Sequence, residues 1–294
     1  MKYFCLLIAF LIPLTSRASS PISDSWMYAT ILIQNEWGEK GTGFLVERQV
    51  DSVRSKIFLC TNKHVLNEDP SLRQTATKII CHLNVKDTSG NIVGRPFTID
   101  LTFPDGTKRW KEHSDPEVDV LVFDITDLII NVPEIVKKWA RYDLFADANI
   151  LSSQAITIGE EVMVIGYPLG FHQGTTNFPI VRQGIIATQI GQKFQQEFVD
   201  SKGNSATRVY RGFLIDGGSI PGSSGSPVIL KPVTGRFVGN NIMMGVPQPY
   251  LLGILAETRF APIRVGNVTI PSFAGLGLAY DASTIKETIE LFFP

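Results

Sequence analysis

The chain has 294 residues, of which 44% are hydrophobic and 19% charged, and its formal net charge is -1. This is a globular balance with room for one large domain or two small ones, and it excludes an intrinsically disordered chain. With no basic excess and no long run of like charge, the chain offers nothing to a nucleic-acid backbone, and nucleic-acid binding is not expected.

The N-terminus reads MKYFCLLIAFLIPLTSRASS. Lys2, the apolar run over 3–14 and the small-x-small pattern Ser16-Arg17-Ala18 predict a cleaved signal peptide over 1–18. The run is too short for the roughly 20 residues of a spanning helix. A secreted or periplasmic protein, free of the membrane after cleavage, is therefore expected.

Beyond it, short runs rich in β-branched and aromatic residues alternate with turn residues. The first series is YATILIQ (28–34), GTGFLVER (41–48), SKIFLCTN (55–62), ATKIICHLNV (76–85), FTIDLTF (97–103) and VDVLVFDI (118–125). PEIVKKWARYDLFA (133–146) follows, with helical spacing of Ile135, Trp139 and Leu144 behind a proline suited to a first turn, and predicts a helix. The second series is EVMVIGY, IVRQGIIATQI, YRGFLID, SPVILK, LLGILAE and GLGLAYD. Residues 193–209 are polar and predict a hairpin or surface loop. At the end, Asp281 or Ser283 can cap an amphipathic helix with Ile285, Ile289 and Phe292 on one face. Six runs and six, without long helices between them, predict an antiparallel all-β protein of barrels or sandwiches.

Cys60 and Cys81 remain after the signal; one disulfide and two buried thiols are both compatible with the sequence. No histidine lies at zinc-ligand spacing from them, and neither a metal nor a cofactor is expected.

Of four histidines, His82 lies in a β run, His113 in a charged loop and His172 in a glycine-rich loop. His64 ends a strand, where a scaffold can hold an imidazole while exposing it. Asp119, between Val118 and Val120 in a run that reads as buried, needs a hydrogen-bonded partner, and an imidazole is a natural one. In IPGSSGSPVIL (220–230), Gly222 permits a tight turn before Ser224, aiming the N–H groups of Gly222 and Ser224 at one point. A serine there becomes a nucleophile once a base can take its proton. The α/β-hydrolase elbow is excluded: position 226 is serine, no histidine follows Ser224, and no βαβ alternation surrounds it.

TNKHV (61–65), DVLVF (119–123) and PGSSGSPV (221–228) resemble the three active-site blocks of trypsin-like serine peptidases of the chymotrypsin fold. GTGFLV (41–46), VMVIGYPLG (162–170) and GLGLA (275–279) resemble strands of bacterial HtrA-type proteases. The resemblance implies two six-stranded β-barrels with a cleft between them: one over 19–130, a linker over 131–154, and one over 155–294 ending in the helix. It implies Ser224 as nucleophile, His64 as general base and then acid, Asp119 as orienter, and the N–H groups of Gly222 and Ser224 as the oxyanion hole. Ser223 stands where pancreatic-type members carry aspartate, so zymogen activation of that type is not expected. No room for PDZ domains follows the last strand, and a monomer is expected. Gly218, six before the nucleophile, is implied as the pocket floor and Leu255 as a pocket residue. With no aspartate at 218 and no histidine at 255, the expected preference is a small or apolar residue, with protein or peptide substrates. Asp216 reads as a turn carboxylate. A catalytically silent peptide-binding protein and an ester hydrolase on the same fold are the alternatives.

Overall fold

The computed structural model describes residues 24–66, 76–199, 203–217, 220–233, 235–238, 241–244, 248–265 and 268–293. The signal expected over 1–18, and Gly218, lie outside them.

The N-terminal half opens with helix α1 (Asp24–Ala29), followed by β1 (Thr30–Asn35), β2 (Lys40–Gln49), β3 (Ser55–Thr61), β4 (Lys78–Lys86), β5 (Ile92–Asp100), β6 (Trp110–Glu112) and β7 (Leu121–Asp124). Helix α2 (Thr126–Asn131), strand β8 (Ala140–Arg141) and helix α3 (Ala148–Ser153) lead into the C-terminal half. There, β9 (Glu161–Gly166), β10 (Ile180–Ile186), β11 (Phe194–Val199), β12 (Ser205–Tyr210), β13 (Phe213–Asp216), β14 (Pro227–Leu230), β15 (Gly235–Val238), β16 (Asn241–Met244), β17 (Leu251–Val265) and β18 (Val268–Asp281) precede helix α4 (Ala282–Glu290).

The molecule is all-β, as expected. Six strands close the C-terminal barrel in the order β10-β13-β18-β17-β14-β9. Each carries one of the six runs of the second series. β11 and β12 form the hairpin expected from 193–209. In the N-terminal half a closed six-stranded barrel is not seen among the described residues. The strands there follow the path β5-β4-β1-β2-β3-β7-β6, with β8 parallel to β2, and no pair closes it among the described residues. β1 pairs with β2 only as far as Phe44, which leaves Val46 and Glu47 open to Ala140 and Arg141 of β8.

That pairing also accounts for the absent helix at 133–146. Ile135 bridges to Val85, residues 140–141 are β8, and only a short 3-10 turn spans Tyr142–Leu144. The buried side chains here are Ile135, Ala140, Phe145 and Ala146, a spacing that no single helix face matches. Strand edges offering backbone partners outweigh local helix propensity.

One core fills the C-terminal barrel around Val162, Val164, Phe213, Val228 and Leu252, and a second fills the N-terminal half around Ile31, Ile33, Leu59 and Leu83. The third runs between the halves, joining Trp26, Phe44, Phe58 and Val122 to Ile229, Tyr280, Ile285 and Ile289. Cys60 and Cys81 are both free and buried. The sheet order sets β3 and β4 three spacings apart, about 14 Å, beyond the reach of a disulfide. Burial pushes both thiols up, so neither ionises at neutral pH.

Candidate active site

β3 ends at Thr61, and the chain turns through a short 3-10 segment, Lys63–Leu66, that carries His64. Asp119 lies just ahead of β7, between Val118 and Val120, both wholly buried. β3 and β7 are paired neighbours, with Thr61 opposite Leu121, so the two side chains emerge at the same sheet end. Asp119 Oδ2 is hydrogen-bonded to His64 Nδ1, and Oδ1 accepts the His64 backbone N–H at 3.2 Å. The Asp119 carbonyl in turn accepts from Asn62 Nδ2 at 2.6 Å. His64 Nδ1 therefore carries the proton facing Asp119, and Nε2 is left with its lone pair.

The imidazole side chain is 38% exposed and the carboxylate 19%. Burial disfavours the charged imidazole, but the hydrogen bond and charge of Asp119, with the charges of Glu257 and Glu39 beyond, outweigh it and raise His64 above the ordinary histidine range. Burial likewise works against the Asp119 carboxylate, and the His64 contacts and backbone N–H groups overcome it, holding Asp119 below its ordinary value.

Ser224 comes from the other half. Two tight turns precede β14: Ser223 N–H donates to Ile220 O at 2.9 Å, and Ser226 N–H to Ser223 O at 3.0 Å. Gly222 and Gly225 both take φ of 89°, a left-handed conformation that favours glycine. A β-carbon on Gly222 would strike the Tyr167 carbonyl, and one on Gly225 the Thr42 carbonyl. The Ser224 carbonyl accepts the Thr42 N–H at 2.8 Å, and Thr61 Oγ1 donates to the Thr42 carbonyl at 2.8 Å. Ser224 is thus fastened to β2, which in turn is fastened to the end of β3 that leads to His64. Among the described residues neither the Gly222 N–H nor the Ser224 N–H finds a protein acceptor.

The structure thus brings His64 and Asp119 into direct contact and holds Ser224 on the strand pair beside them. The Ser224 hydroxyl, however, donates to the Ala256 carbonyl at 3.0 Å, so its proton is not directed at His64 Nε2. Leu255 is not a pocket wall: its side chain is wholly buried in the barrel core. Its backbone instead braces the nucleophile turn, accepting from Gly225 at 2.8 Å and donating to Ser226 O at 2.9 Å. Asp216 is exposed at the end of β13, and the neighbouring Gly217 carbonyl accepts from Arg182.

Sequence reasoning missed Thr42. Its hydroxyl donates to Gly222 O at 2.8 Å and accepts from Tyr167 N at 3.0 Å, clasping both walls of the nucleophile turn. The signal was a threonine between two glycines on a strand: β-carbons at Gly41 and Gly43 would meet Val65 and Ile33. Tyr280 was missed too. Buried on β18, it crosses between the halves to donate to the Glu117 carbonyl at 2.9 Å, two residues before Asp119.

Among the described residues no cluster of three or more histidine, cysteine, aspartate or glutamate side chains could hold a metal ion. No curated protein matches the chain. Solved structures similar to it include the inactive form of the Rv3671c protease, at 14% identity and a TM-score of 0.47, covering 92% of this chain and 91% of that one. The active form of the same protease from M. tuberculosis is 14% identical at a TM-score of 0.42, covering 90% and 81%. An HtrA-type protease, AlgW, with a decapeptide is 15% identical at 0.39, covering 90% of this chain and 65% of that one. The model of the trypsin-like peptidase domain matches residues 41–239, from β2 through β15, and the chain belongs to the trypsin-like peptidase family.

Proposed function

We propose that the chain is a serine endopeptidase that cleaves peptide bonds through an acyl-enzyme on Ser224. The observation that carries this reading is the hydrogen-bonded His64–Asp119 pair, with Ser224 fastened alongside and, among the described residues, no protein acceptor for the Gly222 and Ser224 N–H groups. In this mechanism the Ser224 hydroxyl leaves the Ala256 carbonyl and turns to His64 Nε2. As Oγ bonds to the substrate carbonyl carbon, Nε2 takes the proton, and Asp119 steadies the imidazolium. The Gly222 and Ser224 N–H groups receive the oxyanion. His64 then hands the proton to the leaving amine as the C–N bond breaks, and water repeats the sequence to free the acid. No metal or cofactor enters.

A small or apolar residue at the cleaved position remains the expected preference, from Gly218 in the sequence; Arg182 beside Gly217 makes acidic residues the comparison to include. Secretion or export to a periplasm, and action as a monomer, complete the proposal.

The second reading, a silent peptide-binding protein, is favoured by one observation, the Ser224 hydroxyl turned to Ala256. Labelling with a fluorophosphonate and locating the adduct by peptide mass spectrometry separates the two. A stoichiometric adduct on Ser224, lost in His64→Ala, establishes the activated nucleophile. No adduct on folded protein gives the silent reading the lead.

A further inference from the structure

His82 and His172, neither used by the chemistry above, line one cavity of about 330 Å³ with Val93, Gly94, Thr175 and Asn177. Its floor is rigid. Asn177, 5% exposed and at φ 45°, donates from Nδ2 to the His82 carbonyl at 3.1 Å. The buried Tyr167 hydroxyl donates to the Asn177 carbonyl at 2.7 Å, and Gly94 lets β5 close on the turn, since a β-carbon there would sit 2.6 Å from Asn177 Cβ.

This floor is joined to the nucleophile turn. The Tyr167 backbone N–H is held by the Thr42 hydroxyl, which also bonds Gly222. Register gives the same connection across the sheet: Thr42 pairs with Leu32, and Leu32 with His82. Residues on one rung face one side of a sheet, so His82 shares the face from which Thr42 reaches the turn. Two strand spacings separate them, about 10 Å, which is roughly three residues of extended peptide.

The positive charge beside the cavity is that of Lys40. Burial first, and then the charges of His172 and Lys40, hold the His82 imidazole below the ordinary histidine range, so near neutral pH it is an uncharged N–H donor. Lys40 runs along Gly170, on the loop that leads to His172. No carboxylate or thiol supplies a third metal ligand among the described residues, and an ammonium nearby repels a cation. Two imidazole N–H donors beside an ammonium suit an anion.

We propose that Lys40, His82 and His172 form a subsite for an acidic side chain of the peptide substrate, three to four residues from the cleaved bond, and so select acidic peptides. The proposal rests on the peptidase reading for its role in turnover, but the cavity binds whether or not Ser224 acts.

The test uses matched fluorogenic peptides carrying Glu or Gln at the third or fourth position on either side of the cleaved bond. With the full chain, one Glu peptide should be cleaved with about tenfold higher kcat/KM than its Gln partner. His172→Gln should remove that advantage and leave the Gln peptide unchanged, and His172→Glu should make the Glu peptide the poorer substrate. Equal kcat/KM for every pair, or an advantage that survives His172→Gln combined with Lys40→Gln, overturns the proposal. Fluorescence anisotropy of the same peptides on Ser224→Ala distinguishes the two readings. A Glu advantage in Kd with no cleavage by the unmodified protein keeps the subsite and sinks the peptidase. Equal Kd values sink the subsite.

Discussion

At the scale of single residues, the proposed triad positions stood out in the sequence because their chemistry contradicts their surroundings. Asp119 between two buried valines is costly without a partner, and a serine between tight-turn glycines has no packing reason to be there. Thr42 was illegible because its function is visible only once Gly222 and Tyr167 are folded against it. Leu255 was misread because a position in a family pattern does not say whether a side chain faces a pocket or a core. Two predictions belong here. His64 is raised by Asp119 and must be neutral to act as base, so kcat/KM should rise with pH through a midpoint above the ordinary histidine value of about 6.5. Asp119→Asn should lower that midpoint and cut kcat by about 10⁴, read from the pH–rate profile; an unmoved midpoint would show that Asp119 does not govern the base. Gly225→Ala should cost roughly 2–5 kcal/mol in urea unfolding, because φ is 89° and the new carbon meets the Thr42 carbonyl. Gly106→Ala, at φ 84° with open space around it, should cost only about 1 kcal/mol. Equal losses would show that the close approach to β2 is not what requires glycine.

Among the elements, all six strands of the closed barrel could be read from β-branched runs between turns, since each run buries residues on a barrel wall. The helix at 133–146 could not be rejected from sequence, because what defeats it is the free edge of β2 at Val46 and Glu47, far earlier in the chain. The true ends of β17 and β18 were also missed: they continue as a paired hairpin to Val265 and Val268. At α4, Asp281 occupies the N-cap position but its side chain makes no capping bond, and among the described residues Oδ1 has no hydrogen-bond partner. Burial raises its carboxyl to about 6, against weaker lowering by Arg211 and the Gly191 N–H. The folded state then holds a proton that the unfolded chain releases near 3.9, so this group's contribution is fully present below about pH 4 and is lost as pH rises through 6. The loss amounts to about 3 kcal/mol above pH 6. Asp281→Asn should abolish that slope between pH 4 and 7 in urea titrations, and an unchanged slope would assign it to other groups.

For the whole molecule, the proposed nucleophile and its base lie on different halves, so their alignment is only as good as the seam between them. That seam is not a thin interface. The core running through it takes Phe44, Phe58 and Val122 from one half and Tyr280, Ile285 and Ile289 from the other. Helix α4 and the residues just after it reach back over the first half: Phe292 packs at a tilt against Phe58 with ring centroids 5.0 Å apart, Glu290 pairs with Arg48 at 3.0 Å, and Glu287 with the buried His113 at 2.9 Å. A core shared this way cannot lose one half without exposing apolar surface of the other, and each large side chain so exposed costs about 1.5–3 kcal/mol. The two halves should therefore unfold together, as one calorimetric transition whose van't Hoff and calorimetric enthalpies agree. Ile285→Ala, wholly buried in that core, should cost about 2–5 kcal/mol and shift the single transition without splitting it. Two resolved transitions would mean that each half is stable alone. The reach of Ser224 to His64 would then depend on the Thr42 clasp rather than on the shared core, and Thr42→Val, not Ile285→Ala, would be the change that separates fluorophosphonate labelling from stability.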